Sequence, residues 1–205
     1  MTFSTFLRPA ALAAIALTLA ACGGKASFPI NGTVAGLTNE GLVLTTNGMD
    51  LSVPKSATSF SFPNTISYGE TYAITVKTPP AHQSCTTVSQ STGLETATGT
   101  AGLYASINIA LTCYLNSYSI GGNVTGLTSE GLTLTNGSAG GTVTLVAAST
   151  TYVFGTLVPY GSSYGVSILT QPAKDVCTVS NPTGVMGDAL INNINITCVP
   201  KPAST

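Results

Sequence analysis

Ile30-Asn31-Gly32-Thr33-Val34-Ala35-Gly36-Leu37-Thr38-Asn39-Glu40-Gly41-Leu42-Val43-Leu44-Thr45 is the stretch that decides the fold, because it recurs. It returns as Ile120-Gly121-Gly122-Asn123-Val124-Thr125-Gly126-Leu127-Thr128-Ser129-Glu130-Gly131-Leu132-Thr133-Leu134-Thr135. In both, apolar residues alternate with Thr, Asn and other polar residues, the period-two signature of a strand with one buried face. The correspondence continues downstream. Phe60-Ser61-Phe62 answers Tyr152-Val153-Phe154, and Tyr68-Gly69-x-x-Tyr72 answers Tyr160-Gly161-x-x-Tyr164. Pro80-Ala81-x-x-x-Cys85 answers Pro172-Ala173-x-x-x-Cys177, and Leu111-Thr112-Cys113 answers Ile196-Thr197-Cys198. A self-similarity of this reach reads as two copies of one module, 28–115 and 116–200, followed by a tail, 201–205.

Alternation continues through Leu51/Val53, Tyr72/Ile74/Val76 and Ile107/Ile109/Leu111 in the first copy. It returns as Val143/Leu145, Tyr164/Val166/Ile168 and Ile194/Ile196 in the second. Thr46-Asn47-Gly48 and Thr135-Asn136-Gly137 read as turns, since Asn and Gly tolerate positive φ. No segment after residue 27 carries a capped helical stripe. About seven short strands per copy predict an all-β chain of antiparallel β-sandwiches.

The pattern Gly-x-Val-x-Gly-Leu, Gly-Leu-x-Leu, Phe-x-Phe, Tyr-Gly-x-x-Tyr resembles the transthyretin-like (carboxypeptidase-regulatory-like) type of Ig-like sandwich. It is also similar to a Cys-containing repeat of bacterial surface lipoproteins whose final strand ends in Thr-Cys, as Thr112-Cys113 and Thr197-Cys198 do. The resemblance covers both copies. It implies two tandem Ig-like domains and an envelope location, and it carries no active site. Gln171 stands where the first copy has Pro79, and the second inter-cysteine segment is shorter.

Residues 1–21 read as a signal peptide rather than as part of the fold. Arg8 precedes an apolar run, Ala10 to Ala21, that is too short for a bilayer span of about 20 helical residues. Leu19-Ala20-Ala21-Cys22 resembles the bacterial lipobox. That resemblance implies cleavage before Cys22, diacylation of its thiol and, often, acylation of its new amino group. Two or more acyl chains give stable anchoring where one gives reversible binding. Gly23-Gly24, with no Asp beside the anchor, resembles outer-membrane sorting signals. Residues 22–27 read as a lipid-anchored tether.

Composition narrows function further. Of 205 residues, 6% are charged, against about 25% in an average soluble domain. Six Lys+Arg cannot form the basic surface that nucleic acid requires. The Ala/Glu/Lys/Leu-rich sequence of coiled coils is missing, and 43% hydrophobic residues argue against disorder.

Apart from Cys22, the cysteines are Cys85, Cys113, Cys177 and Cys198. Four allow three pairings. Their equivalent places in the two copies favour Cys85–Cys113 and Cys177–Cys198, and an exported protein meets an oxidising compartment. The Ser/Thr/Gly-rich segment between Cys85 and Cys113 reads as a long loop closed at its base by the disulfide. A zinc site is disfavoured, since there is no Cys-x-x-Cys and only His82 lies near a cysteine.

No catalytic constellation emerges. His82 is the only histidine, its counterpart is Lys174, and it reads as a surface-loop residue. Glu40 and Glu130 share one turn position and read as solvated or turn-capping acids. Asp50, Glu70, Glu95, Asp175 and Asp188 complete the acids, without a paired-carboxylate or calcium-loop pattern. Tyr68, Tyr72, Tyr160 and Tyr164 read as core or corner packing. Tyr104, Tyr114 and Tyr118 fall outside the recurring pattern; Tyr114 and Tyr118 flank the module boundary and are expected to glue the modules together. No cofactor, metal or enzymatic activity is expected. The expected role is structural or interactive, in the bacterial envelope at the outer membrane, with the membrane as partner through acylated Cys22. The alternatives are a glycan-binding or adhesin module with a glycan partner, and an accessory subunit bound to an envelope protein.

Overall fold

The computed structural model describes residues 25–90, 97–137 and 140–202; Cys22 and Glu95 lie outside the described residues. Strands make up the regular structure throughout, with no helix among the described residues. In the first half they are β1 (Ser27–Phe28), β2 (Ile30–Ala35), β3 (Leu42–Thr46), β4 (Met49–Val53), β5 (Ser59–Ser61) and β6 (Ile66–Ser67). Then come β7 (Thr71–Ala73), β8 (Thr75–Thr78), β9 (Gln83–Ser89), β10 (Thr98–Thr100) and β11 (Ile107–Leu115). The second half has β12 (Ser117–Tyr118), β13 (Gly121–Thr125), β14 (Leu132–Asn136), β15 (Thr142–Leu145) and β16 (Thr151–Val153). It continues with β17 (Val158–Pro159), β18 (Ser163–Thr170), β19 (Asp175–Val179), β20 (Thr183–Val185) and β21 (Ile196–Pro200).

The architecture is all-β, two β-sandwiches in tandem. One sheet of the first runs β5-β2-β11-β9 and faces β4-β3-β8, with β10 paired to β7. The second sandwich has β16-β13-β21-β19 opposite β15-β14-β18-β20. Strand pairing is antiparallel except between the first long strand and the last of each sandwich, and an isolated bridge between Ile120 and Ile191 is also parallel. β2 runs parallel to β11 (Ile107 opposite Ile30), and β13 parallel to β21 (Val124 opposite Ile196). Between these partners the chain crosses to the facing sheet and back, which supplies the long connection that parallel pairing needs.

Inward positions follow the alternation read from sequence. Leu42, Leu44 and Thr46 of β3 are buried, as are Ile107, Ile109, Leu111 and Cys113 of β11. Two hydrophobic clusters result, one within residues 30–113 and one within 120–198. Each fully buried Leu or Ile stabilises its sandwich by about 1.5–3 kcal/mol. Asn47 and Gly48, both at positive φ, close β3 onto β4 with Thr46 opposite Met49. The second Asn-Gly behaves otherwise. Asn136 is the buried last residue of β14 and its Oδ1 accepts the Gly165 N–H at 2.9 Å, so the turn begins beyond it.

The disulfides join Cys85 to Cys113 and Cys177 to Cys198. Both lie inside strand ladders, with each cysteine directly opposite its partner. The segment after Cys85 is therefore not a loop closed at its base. Seven residue pairs of β9 and β11, from Ile109/Ser89 to Leu115/Gln83, flank and include the bridge. Beyond residues 91–96, which lie outside the described residues, β10 pairs with β7.

One turn is held differently in the two halves. Gln83 Oε1 accepts the N–H groups of Thr38 and Asn39, each at 2.9 Å, and Gln83 Nε2 donates to the Gly36 carbonyl at 2.7 Å. In the second half Asp175 Oδ2 accepts the N–H groups of Thr128 and Ser129 at 2.9 Å and the Ser129 hydroxyl at 2.8 Å. Its Oδ1 accepts the Thr128 hydroxyl at 2.6 Å. These two buried side chains satisfy the turn. Glu40 instead pairs with Lys55 at the surface, 3.1 Å away, and Glu130 is exposed. The Thr128 hydroxyl, ahead of the opposing cost of burial and with help from Ser129, holds the Asp175 carboxyl down at about 2, against an ordinary 3.8. The unfolded carboxyl takes up protons that the native one refuses. The stabilisation is therefore complete above about pH 4 and is lost as pH falls through about 2. Asp175→Asn is expected to melt lower than the parent at neutral pH. Its deficit should shrink as pH falls from 4 to 2; a constant gap in thermal melts across that range would refute this account.

Candidate functional site

The junction between the halves is where the structure gathers its most specific side-chain geometry. Asn116 is bonded on both sides. Its N–H donates to the His82 carbonyl at 2.9 Å, and its own carbonyl accepts the Tyr160 N–H at 2.8 Å. Its Oδ1 accepts the Ser84 hydroxyl at 2.7 Å. β12 then pairs with β17, Tyr118 opposite Val158.

His82 sits at φ 59° in the turn from Pro80 into β9. Its ring stacks on Tyr160, with centroids 3.8 Å apart and planes 5° from parallel. Its Nδ1 meets Asp188 Oδ2 at 2.6 Å. Tyr160 is offered by the turn between β17 and β18, and Asp188 follows β20, where the Gly161 N–H donates to the Met186 carbonyl. His82 is therefore not a free surface-loop residue: its ring contacts Tyr160 and Asp188 of the second sandwich. Tyr114 and Tyr118 do not make that contact. Tyr114 is 65% exposed, and Tyr118 packs against the second cluster. Of the recurring tyrosines, Tyr72 and Tyr164 are buried as core, Tyr160 lies at the junction, and Tyr68 is exposed. Sequence reasoning missed Asp188 here. The available signal was a pair of departures from the recurrence, Lys174 in place of His82 and Leu103 in place of Asp188.

A histidine oriented through Nδ1 by a carboxylate is half of a hydrolytic triad. The other half is missing among the described residues: no hydroxyl is hydrogen-bonded to the second ring nitrogen, and the four described cysteines are in disulfides. The arrangement orients two sandwiches. The acids are dispersed: Asp50 pairs with Lys77, which with the Thr45 hydroxyl lowers its pKa, and Glu70 accepts the Ser67 N–H at 2.7 Å. No three His, Cys, Asp or Glu side chains converge on a metal-sized space among the described residues. An open groove of about 480 Å³ runs beside the junction, lined by Ser84, Tyr114, Asn116, Ser117, Tyr118 and Leu157, among others.

The His82–Asp188 contact is partly exposed, so His82→Ala or Asp188→Ala is expected to change stability by no more than about 1 kcal/mol. The same changes should broaden the distribution of inter-domain distances in small-angle scattering. An unchanged distribution would mean that Asn116 alone fixes the angle.

No protein-family model matches the chain, and no curated protein matches it. Among solved structures, the shaft pilin SpaA from Lactobacillus rhamnosus GG overlays at 10% sequence identity and a TM-score of 0.30, covering 88% of this chain and 100% of that one.

Proposed function

We propose that this chain is a non-enzymatic structural lipoprotein of the bacterial cell envelope. It consists of two copies of one module, 28–115 and 116–200, held to the outer membrane by acylated Cys22. The observation that carries the reading is the way each module is joined to what precedes it. The Tyr160 N–H is bonded to the Asn116 carbonyl, and the Tyr68 N–H to the Ala26 carbonyl at 2.8 Å. The Ala26 carbonyl lies four residues after Cys22, and the backbone bonds of Asn116 join the two modules directly. Two disulfides suit an oxidising, extracytoplasmic location. Residues 22–27 serve as the tether and 201–205 as a tail. The test is intact mass and fractionation of the native protein beside Cys22→Ala. Acyl mass with outer-membrane fractionation, both lost in the variant, is the expected result. An unmodified, soluble native protein would overturn the anchor.

A second reading, glycan binding, is favoured by the junction groove, where Tyr114 and Tyr118 stand beside the amide of Asn116 without a charged neighbour in the lining. A saturable glycan-array signal that Tyr114→Ala abolishes would support it.

A further inference from the structure

The geometry points to the membrane-proximal end of the first sandwich as a lipid-contacting surface, in which Tyr68, Leu103 and Tyr104 rest at the bilayer interface beside the anchor. The inference builds on the lipid-anchor reading above.

The corresponding end of the second sandwich shows what this surface does when it is covered. There Tyr160 stacks on His82 and Asp188 binds the His82 ring nitrogen, so the end is a docking face for whatever lies on its N-terminal side. Backbone bonds fix the correspondence between the two ends. The Gly69 N–H donates to Ala101 as Gly161 does to Met186, and the Ala101 N–H to Glu70 as Met186 does to Ser162. Tyr68 thus holds the place of Tyr160, and Leu103-Tyr104 the place of Asp188-Ala189.

In the first sandwich no protein element covers this end among the described residues. Tyr68 is 64% exposed, Leu103 73% and Tyr104 47%. The Tyr68 ring packs over Gly102, next to Leu103, and lies 6.5 Å from the Phe28 ring. The two halves differ here in one physical direction, an apolar and an aromatic residue replacing an acid and an alanine. Exposed apolar groups clustered this closely mark an interaction surface.

The occupant follows from chain length. Ala26, whose carbonyl accepts the Tyr68 N–H, is four residues from Cys22. Fully extended, that span is at most about 14 Å. An acyl chain on Cys22 therefore holds the bilayer surface against this end of the molecule. Tyrosine is enriched at the headgroup level, where its ring is half buried and its hydroxyl is wet, and leucine favours the acyl boundary. Lys25 and Glu70 are charged groups near the same end, of opposite sign. The contact therefore rests on apolar and aromatic burial, and neutral phosphatidylcholine suffices for it. Two attachments, tether and surface, would set the angle at which both sandwiches stand on the membrane.

The protein has no tryptophan, so one substitution supplies a unique probe. The full native chain carrying Leu103→Trp is reconstituted in phosphatidylcholine vesicles with brominated acyl chains, beside Tyr114→Trp at the distant junction. Both substitutions are at exposed positions, which leaves the cores intact. The expected result is a shift of the Leu103→Trp emission to shorter wavelength with loss of intensity to bromine. The Tyr114→Trp emission should remain water-like. Protein that carries acyl mass and floats with vesicles, yet emits alike from both positions, overturns the lipid-contacting surface while sparing the anchor. Protein without acyl mass overturns the anchor instead. Cys22, which has no place in either disulfide, is then coupled to a maleimide lipid in the mature chain, and the same two emissions decide the surface. A Leu103→Trp shift that appears without vesicles and grows with protein concentration would assign the surface to a second copy of the chain and overturn the lipid assignment.

Discussion

Replacing Cys177 and Cys198 together by alanine is expected to lower the unfolding free energy of the second sandwich by about 3 kcal/mol. The bridge closes 21 residues of chain, and its loss returns that loop entropy to the unfolded state. The first bridge closes 28 residues, so Cys85→Ala with Cys113→Ala should cost slightly more, about 3.5 kcal/mol. A small domain has only about 5–15 kcal/mol in total, so either loss removes a large part of it. The strands on both sides of each bridge remain paired through their ladders. The variants are therefore expected to fold, and to melt earlier in urea. Each double variant should move the transition of its own sandwich and leave the other's in place. A loss below about 1 kcal/mol would mean that the unfolded chain already holds β9 near β11, or β19 near β21.

Gly126→Ala is expected to cost about 3–4 kcal/mol, the upper range for a single substitution. Two effects add. Gly126 has φ 74°, where an L side chain costs about 1–2 kcal/mol. An added Cβ would also lie 2.1 Å from the Cys198 carbonyl oxygen, and because this neighbour is backbone no rotamer change relieves the overlap. Relief requires β13 to move away from β21, which opens the parallel pair that closes the sandwich. Gly36 repeats the arrangement, with φ 73° and the Cys113 oxygen at 2.2 Å, and Gly36→Ala should cost as much. Gly155→Ala is the control: it has open space and an ordinary φ, and should be nearly neutral. Equilibrium urea unfolding of the three variants checks the ranking. If Gly126→Ala were as mild as Gly155→Ala, the tight approach of the turn to β21 would be wrong.

The sequence by itself determined the strands. Alternation in Leu42-Val43-Leu44 and in Ile107 through Cys113 reports directly which side chains face a core, because a strand's side-chain period is two. It also located the Asn47-Gly48 turn, whose chemistry is local. It exposed the recurrence, and with it the likeness of Tyr72 to Tyr164.

Tertiary structure alone decided whatever depends on partners distant in sequence. Periodicity says that β2 and β11 are strands with an inward face. It cannot say that they lie side by side and parallel, since that choice is made by how the two sheets close on each other. Gln83 and Asp175 carry no local mark that each secures a turn some 45 residues upstream. His82 and Asp188 are 106 residues apart, and Tyr160 looked like Tyr68 in every local respect. Among the described residues the Tyr160 ring stacks on His82 of the first sandwich, and the Tyr68 ring is exposed. That difference arises from position along the chain and from packing, so no local reading of either tyrosine could contain it.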